Sequence, residues 1–355
     1  MIYFDHAATA PLHPKAKEAM TEAMAVLGNP SSLHTAGGAA KKLLEQSRRT
    51  VAEALGCDPE EILFTSGGTE ANALALHGRA KILSSPMEHP SVAGNLKDTA
   101  FLPVTPTGTV SLDTAETALK SGVDLVSLQH ANNETGLLQP IEELGTLCRT
   151  YGVPFHSDGV QTAGKIPVCL HTLPVELYSF SAHKLGGPAG VGGLYCKAGT
   201  DLHPLYRGGG QEKAIRPGTE SVFLAVGMAA ALSAAVEEMA ETEAHLTSLG
   251  DCLQRGVTRL GGILTGEGDR IPGHLHFHFP HGDGEALASA LDLRGVCLSA
   301  GAACHSGSHT PSETLLAMGF SREEASSALR ITFGRENTLE EVHTFLALLE
   351  DCLTL

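Results

Sequence analysis

The sequence predicts an α/β fold in which helices wrap a mainly parallel sheet, joined to a smaller α+β domain. The chain has 355 residues, which is room for about two domains. Short apolar runs alternate with helical periodicity through its first two thirds, as in βαβ units. Beyond a long Ala-rich helix predicted around residues 221–243, the pattern changes to strands of alternating polarity. We therefore assign residues 14–245 to the large domain, and residues 1–13 and 246–355 to the small domain.

The elements follow from the spacing of apolar residues, taken in chain order. The first clear amphipathic helix should end at Gly56, because glycine readily adopts the backbone conformation that closes a helix. In the large domain, the predicted helices are AAKKLLEQSRRTVAEALG, GTEANALALHGRA and IEELGTLCRTYG, and the predicted strands are EILFTS, KILSS, LVSLQ, VPFHS, LYSFSA and GVGGLYC. In the small domain, the predicted strands are HLHFHFP and ALRITFG, and the helices include ETLLAMG and LEEVHTFLALLEDCL.

Charge and cysteine spacing narrow the classes of function. Acidic residues outnumber basic ones 40 to 24, so we expect no broad nucleic-acid surface. No uncharged apolar stretch is long enough to span a membrane, and the first residues lack a secretory signal. None of the eight cysteines forms a CxxC pair, which disfavours a zinc ribbon and fits free thiols in a reducing cytosol. We therefore expect a cytoplasmic protein that does not associate with membranes.

Two motifs resemble binding sites but lack essential parts. Residues 159–165, GVQTAGK, match the start of a P-loop, yet Ile166 stands where a magnesium-binding hydroxyl is required. Pro167 also disfavours the helix that should follow, so we do not expect nucleotide hydrolysis. Strand 274–278 carries alternating histidines that share one face, and a metal site there is conceivable. No carboxylate or Cys completes that site, so we assign no metal and favour a partly exposed strand with polar residues outward.

Three further segments together contain the parts of a pyridoxal-phosphate site. FTSGGTEAN leads from a strand through glycines into a helix, whose N-terminus and Thr69 hydroxyl can bind an anion. Asp158 lies just past a strand end, where α/β sheets bind ligands, although it could equally cap a helix. Ser181, His183 and Lys184 follow another strand end, although Lys184 alone could be a surface charge. The cofactor needs such a phosphate cradle, a lysine for its Schiff base and a carboxylate that keeps its pyridine nitrogen protonated.

Ten segments, in order and nearly end to end, carry a resemblance to a known family. They are FDHAATAP, GNPSSLH, FTSGGTEAN, MEHPSV, ANNETG, HSDGVQTAGK, SFSAHKLGGPAGVG, GGGQEKAIRPGTES, SAGAACHS and LRITFGREN. On these motifs the chain resembles the NifS/IscS-like cysteine desulfurases, pyridoxal-phosphate enzymes of the class V aminotransferase superfamily. The resemblance implies the fold of a fold-type I transferase and a homodimer with shared sites.

The resemblance also implies a role for each matching residue. Lys184 would form the Schiff base, His89 would stack on the pyridine ring, and Asp158 would bind the ring nitrogen. Gln161 would hydrogen-bond the phenolic oxygen, and Cys304 would be the thiol that takes the sulfur. The other cofactor-binding residues would be Gly68, Thr69, Ser181, His183 and, reaching the phosphate of the neighbouring subunit, Thr219. The substrate carboxylate would be held by Asn133 and Arg330.

The implied reaction converts L-cysteine to L-alanine, and the sulfur stays on Cys304 as a persulfide for transfer to an acceptor protein. Iron–sulfur cluster biogenesis is one pathway that uses such sulfur. Three positions depart from the family pattern: His6 and Ala10 in the first motif, and Gln211 where many bacterial desulfurases carry His. GGGQE, RPGTE and AACHS also resemble selenocysteine lyases, so a lyase for L-selenocysteine or another β-eliminating or transaminating relative remains an alternative. After the desulfurase and the lyase, the third hypothesis is a non-enzymatic dimer with the same fold.

Overall fold

A computed structural model describes residues 1–280, 282–301 and 311–354 of the chain. The strands are short and are numbered in chain order from β1 to β12. They are Ile2–Tyr3, Ile62–Thr65, Lys81–Ser84, Asp98–Phe101, Leu125–Ser127, Phe155–Asp158, Leu177–Ser181, Gly192–Cys196, Ile263–Leu264, His274–His278, Val296–Cys297 and Ala328–Thr332. Most of the strands predicted from apolar runs are therefore present with small shifts at their ends.

The helices, numbered α1 to α12, alternate with these strands through the first two thirds of the chain. They are Pro14–Met24, Thr35–Leu55, Gly68–Leu76, Pro90–Ala93, Ala115–Lys120, Ile141–Tyr151, Val222–Glu237, Met239–Arg259, Gly284–Asp292, Glu313–Ala317, Arg322–Ser326 and Leu339–Leu353. The α2 helix ends where its sequence predicts, because Gly56 adopts the left-handed conformation with φ 63° and ψ 57°.

The large domain is built on one sheet with the strand order β2-β8-β7-β6-β5-β3-β4. The neighbours from β7 to β4 all pair in parallel, whereas β8 pairs antiparallel with both β7 and β2. The central strands are buried along their whole length, as expected when helices cover both faces of a sheet. The predicted α/β fold with a mainly parallel sheet is therefore confirmed.

A second hydrophobic core lies in the C-terminal part of the chain. It packs against the antiparallel sheet β12-β10-β9 and the parallel pair β1-β11. The N-terminal segment joins this core, since the ring of Phe4 packs edge-on against Phe333 and Phe345. The α8 helix runs through position 245, where the sequence placed a domain boundary. The chain thus packs into two hydrophobic cores, whereas the domain boundary at residue 245 remains a prediction.

The Ala-rich segment does not form the single long helix that was predicted. Two helices, α7 and α8, meet at Glu238 with a bend of 71°. The Glu238 carboxylate accepts a hydrogen bond from Arg335 Nη1 at 2.8 Å, which holds the bend against the small domain. The α7 helix is apolar and largely buried in the large domain, whereas α8 packs against α12. No single helix in the described part of the chain is long and apolar enough to cross a membrane, whereas α7 and α8 together reach that threshold by length and composition.

The histidine strand is buried, and the prediction that its polar residues face outward is wrong. The exposed fractions are 2% for His274, 0% for His276 and 7% for His278. The cause is topological, because β10 is the central strand of its sheet and has neighbours on both sides. His276 Nδ1 and His278 Nδ1 lie 3.0 and 3.3 Å from the Thr265 hydroxyl, and His274 Nε2 donates to the Glu134 carbonyl at 2.9 Å. Within the described residues, none of the three belongs to a group spaced to hold a metal ion.

Candidate active site

The carboxyl ends of five strands meet at one edge of the large sheet. Strands β3, β5, β6 and β7 are parallel, and β2 runs the same way because both β2 and β7 pair antiparallel with β8. A cavity of about 320 Å³ lies at this edge, which is where open α/β sheets bind ligands. Every predicted site residue within the described part of the chain lines this cavity, with the exception of Thr219.

The start of α3 forms one wall of the cavity. This helix begins at Gly68, directly after β2, so its first N–H groups have no partner within the helix. A Cβ on Gly68 would lie 2.5 Å from Val160 Cγ2, so only glycine lets the helix approach the turn after β6 this closely. Thr69, which is exposed, and Ser181, which is buried, line the same wall. The wall therefore offers backbone N–H groups and hydroxyls to an anion.

His183 lines the cavity as a neutral ring. Burial, together with the charges of the nearby Lys184 and Lys165 ammonium groups, lowers its pKa to about 4. Its Nδ1 lies 3.3 Å from the Thr9 hydroxyl. A neutral imidazole keeps one N–H donor, which is the property that a phosphate-binding residue needs.

The Asp158 carboxylate is buried at the end of β6 and binds two groups. Its Oδ1 accepts the Val160 N–H at 2.9 Å, so it does cap the turn, as one of the alternatives proposed. Its Oδ2 accepts a hydrogen bond from Asn72 Nδ2 at 2.7 Å, which capping does not require. Because Asp158 also lines the cavity, the turn and the side-chain contact together fix the carboxylate for a ligand.

The orientation of the His89 ring depends on the same group of side chains. Asn72 Nδ2 also donates to Ser91 Oγ at 2.8 Å, and Ser91 Oγ lies 2.7 Å from His89 Nδ1. The Ser91 backbone N–H donates to the same ring nitrogen at 3.1 Å, so Nδ1 is an acceptor and the proton resides on Nε2. The chain Asp158–Asn72–Ser91–His89 thus holds the acid and the ring relative to each other.

Lys184 is not a surface charge. It ends a short 3-10 turn after β7, and its ammonium group donates to the carbonyls of Ala7 and Ala8, at 2.9 Å in the second case. These acceptors belong to the N-terminal segment, which crosses from the small domain onto the large one. The amine is therefore partly buried on the cavity wall, where a carbonyl cofactor can react with it.

Arg330 reaches the cavity from the small domain. It is 2% exposed, and its Nη2 donates to Asp5 Oδ1 at 2.7 Å and to Ser299 Oγ at 3.0 Å. Its Nη1 donates to the backbone carbonyl of Asn133 at 3.0 Å, which brings the two predicted substrate-binding residues together. The Nε atom has no partner among the described residues and remains as a donor for a substrate carboxylate.

One predicted site residue lies away from the cavity, one falls outside the described residues, and several partners were not predicted. Thr219 is exposed and does not line this cavity, and Cys304 lies outside the described residues. Sequence reasoning did not identify Asp5, Asn72 or Ser91, although each stands inside a motif that it singled out. The sequence feature that could have identified these three residues is that each is a polar residue within its motif.

The residues present fit pyridoxal phosphate. Lys184 supplies a primary amine, Asp158 a buried carboxylate, and the N-terminus of α3 a phosphate site. Asn72 Oδ1 is buried without a partner among the described residues, so the wall retains capacity to bind a polar ligand. Lys184 would hold the cofactor covalently and Asp158 would bind its ring nitrogen.

Comparison with known proteins agrees with this site. The family model of class V aminotransferases matches residues 2–345. A curated relative, cysteine desulfurase IscS of Dictyoglomus turgidum, is 40% identical over 98% of this chain and 93% of its own length. A NifS-like protein from Rickettsia africae has a similar structure, with a TM-score of 0.94, 32% identity and coverage of 100% of both chains. The structure of SspA in complex with cysteine has a TM-score of 0.82 and 29% identity, and covers 95% of this chain and all of that one. The chain therefore belongs to the class V aminotransferase family, among the IscS- and NifS-like proteins.

Proposed function

We propose that this protein is a pyridoxal-phosphate-dependent cysteine desulfurase that converts L-cysteine to L-alanine. The observation that carries the proposal is one cavity lined by the Lys184 amine, the Asp158 carboxylate and the Arg330 guanidinium. These are the groups needed to hold the cofactor, to keep it able to accept electrons and to bind an amino acid by its carboxylate. The names of the IscS relative and of the cysteine complex support the choice of substrate.

The chain's own residues position the substrate. Pyridoxal phosphate, when bound, withdraws electrons from the bonds around the substrate Cα and lets the Cα proton leave. Lys184 would hold the cofactor until the substrate amine displaces it, and its freed amine would then move that proton. Asp158 would accept the hydrogen bond of the ring nitrogen. Arg330 and Asn133 bind the substrate carboxylate, and each charge-assisted hydrogen bond contributes about 1.5–3 kcal/mol. Only a substrate held in one orientation presents its sulfur to the attacking thiol.

The sulfur-transfer step is assigned to Cys304 by the family resemblance. Its thiolate attacks the substrate sulfur, so an S–S bond forms as the substrate C–S bond breaks. The bonding electrons remain with the carbon, which takes up a proton and leaves as alanine. The enzyme keeps a persulfide, whose outer sulfur then passes to an acceptor protein, in iron–sulfur cluster biogenesis or another sulfur pathway. We place this chemistry in the cytoplasm, because the cysteine spacing fits free thiols there.

We also propose a homodimer in which Thr219 binds the cofactor phosphate of the neighbouring subunit. Thr219 is exposed and lies away from its own cavity, which supports a role outside its own subunit. Sedimentation should give a dimer, and Thr219→Ala should weaken cofactor binding. An active monomer would contradict the shared site.

Selenocysteine lyase remains the second candidate, because Gln211 stands in the GGGQE motif that also resembles those enzymes. Gln211 Oε1 accepts the Gly218 N–H at 3.2 Å and thereby holds the segment that carries Thr219. Its role in this structure is local and does not separate the two activities. The products do separate them, since a lyase would release selenide and a desulfurase would produce alanine and persulfide from L-cysteine.

Product analysis of the Cys304→Ala variant tests the proposed function. With L-cysteine, the variant should keep the visible band of the bound cofactor and its spectral response to substrate, while alanine release collapses. Cys169→Ala is the matched control, because Cys169 is an exposed thiol outside the cavity. If Cys304→Ala releases alanine from L-cysteine at the parent rate, the desulfurase mechanism is wrong. If only L-selenocysteine yields alanine in the parent protein, the lyase is correct.

A further inference from the structure

Lys165 is the last residue of the P-loop-like motif GVQTAGK, and it lines a cavity. Gly164 precedes it with φ +73°, a left-handed conformation at the end of the turn after β6, and Lys165 itself is half-buried. The Lys165 ammonium donates to Gln161 Oε1 at 3.2 Å. It lines a second cavity of about 120 Å³, which shares Lys184 with the cofactor cavity. Lys165 therefore lies behind Gln161 as seen from the cofactor cavity.

The surroundings of Lys165 do not stabilise its positive charge. Among the described residues, no carboxylate forms a salt bridge with it. Its charge interacts with His6, His183, Lys184, His274 and Arg330, and Glu238, Glu243 and Glu336 line the same small cavity without forming a salt bridge to it. Burial lowers the pKa of Lys165 to about 7, and the charges of Lys184 and Arg330 act in the same direction. Neither solubility nor a salt bridge therefore explains a lysine at this position.

The contact with Gln161 explains it, because both the oxygen and the NH₂ group of the Gln161 amide form hydrogen bonds. Its Oε1 accepts from Lys165, and its Nε2 donates to the Ala7 carbonyl at 3.0 Å. The reversed amide would place its NH₂ group against the ammonium and its oxygen against the carbonyl, and both contacts would be repulsive. The neighbours on the two sides therefore determine the amide orientation. The NH₂ group has a second N–H, and Gln161 lines the cofactor cavity.

We propose that Lys165 is a positioning residue that makes Gln161 present an N–H donor, and not its oxygen, to the cofactor's phenolic oxygen. This inference rests on the proposed function, since it requires pyridoxal phosphate in the larger cavity. A donated hydrogen bond stabilises the phenolate form, whereas a glutamine oxygen in its place would repel it. Lys165 acts on the cofactor's phenolic oxygen through Gln161, in addition to the direct effect of its charge on Lys184 and His183.

Cofactor binding and the cofactor's own titration test this role without relying on activity. The apo protein is titrated with pyridoxal phosphate to give Kd, and the visible band is then followed against pH. In Lys165→Met the amide can reverse, so Kd should rise about tenfold and the pH midpoint of the band should rise by about one unit, as for the loss of one hydrogen bond to a charged group. Lys165→Arg keeps the donor and should return both values most of the way to those of the parent protein.

A double-mutant cycle separates this role from a structural one. In a Gln161→Met background, Lys165→Met should leave Kd unchanged and should move the midpoint much less than in the parent protein, because the group that it positions is gone and only the direct effect of its charge on Lys184 remains. Lys197→Met is the matched control, since Lys197 lies on the far side of the large sheet from the cavity, next to Glu176, and should leave both values unchanged. Equal effects of Lys165→Met with and without Gln161, or no effect in either, would overturn the proposal. A parent protein that forms no visible band with the cofactor would instead refute the proposed function.

Discussion

The carboxyl edge of the large sheet and the central strand of the small sheet both carry polar side chains, with opposite consequences. At the edge, Asp158 and Lys184 line a cavity and can meet a ligand. On β10, the central strand of its sheet, His276 is fully buried, and its Nδ1 lies 3.0 Å from the Thr265 hydroxyl. Polar residues that follow a strand end therefore indicate a ligand site, whereas polar residues within a strand mean little until the neighbouring strands are known. Changes at the edge should alter chemistry, and changes on β10 should alter stability.

The largest effect is expected at the edge, from Lys184→Ala. Only an amine at this position can bond to the cofactor, so the visible band should disappear and alanine formation should fall by about 10³-fold, as for the loss of an acid–base group. Absorbance spectra and product assays check this, with thermal unfolding to confirm that the fold survives. Normal turnover in this variant would refute the assignment of the amine.

Asp158→Asn isolates the charge at the edge from the capping role. Asparagine keeps an oxygen for the Val160 N–H, but its NH₂ group then faces Asn72 Nδ2 and cannot accept that hydrogen bond, so we expect a stability loss of about 1 kcal/mol. Asparagine also does not hold a proton on the pyridine nitrogen. Removal of the substrate Cα proton should slow by about 10²-fold, with the cofactor retained. Deuterium exchange at Cα measures this step. An unchanged exchange rate would mean that Asp158 only caps the turn after β6.

On β10, the pH dependence of stability should reveal the buried histidine. Burial lowers the pKa of His276 to about 3, whereas an unfolded histidine titrates near ~6.5. As the pH falls below the unfolded value, only the unfolded chain takes up the proton, so stability is complete above that value and declines towards the folded pKa. His276 alone should contribute a loss of about 2 kcal/mol at pH 5.

The variant His276→Gln removes that titration and should make the loss of stability between pH 7 and pH 5 shallower. Urea unfolding at the two pH values measures the difference. A residual loss is expected in the variant, because burial also lowers the pKa of His130 to about 4 and that of His156 to about 3. Identical losses in the parent and the variant would show that His276 is not buried as a neutral ring.

The smallest effect is expected from Thr265→Val on the strand side of the comparison. The Thr265 hydroxyl lies within hydrogen-bonding distance of both His276 and His278, and valine has nearly the same shape. The loss should be about 1 kcal/mol in the free energy of unfolding, because the hydroxyl has a single O–H to donate to these ring nitrogens. Cofactor Kd should match that of the parent protein. A large change in Kd would mean that β10 affects the cavity directly.

The sequence predicts well wherever local chemistry decides the structure. Apolar spacing locates the strands whose ends carry Asp158 and Lys184, and the glycine at Gly56 ends α2 as expected. Prediction fails where a distant neighbour decides. The burial of β10 depends on β12, and the bend at Glu238 depends on Arg335, which is 97 positions away. The long apolar run of α7 gives no sign of that contact.

The site shows the same division between local and distant causes. Motifs identify the residues that would touch the cofactor, because each follows a strand end. They do not identify the residues that hold those groups in place, since these contacts join distant parts of the chain. Asp5 and Arg330 are 325 positions apart, and Asn72 and Asp158 are 86 apart. Lys165 is an exception, because it lies four positions from Gln161, but its P-loop-like motif suggested a different chemistry.

The N-terminal segment physically couples the two domains at the reactive amine. Phe4 and Ala7 bond to Thr332 of the small domain, while the Ala7 and Ala8 carbonyls accept from Lys184 of the large domain. A rotation of the small domain that carries this segment with it would move the acceptors away from the Lys184 ammonium. The hydrogen bonds available to the amine would then depend on the angle between the domains.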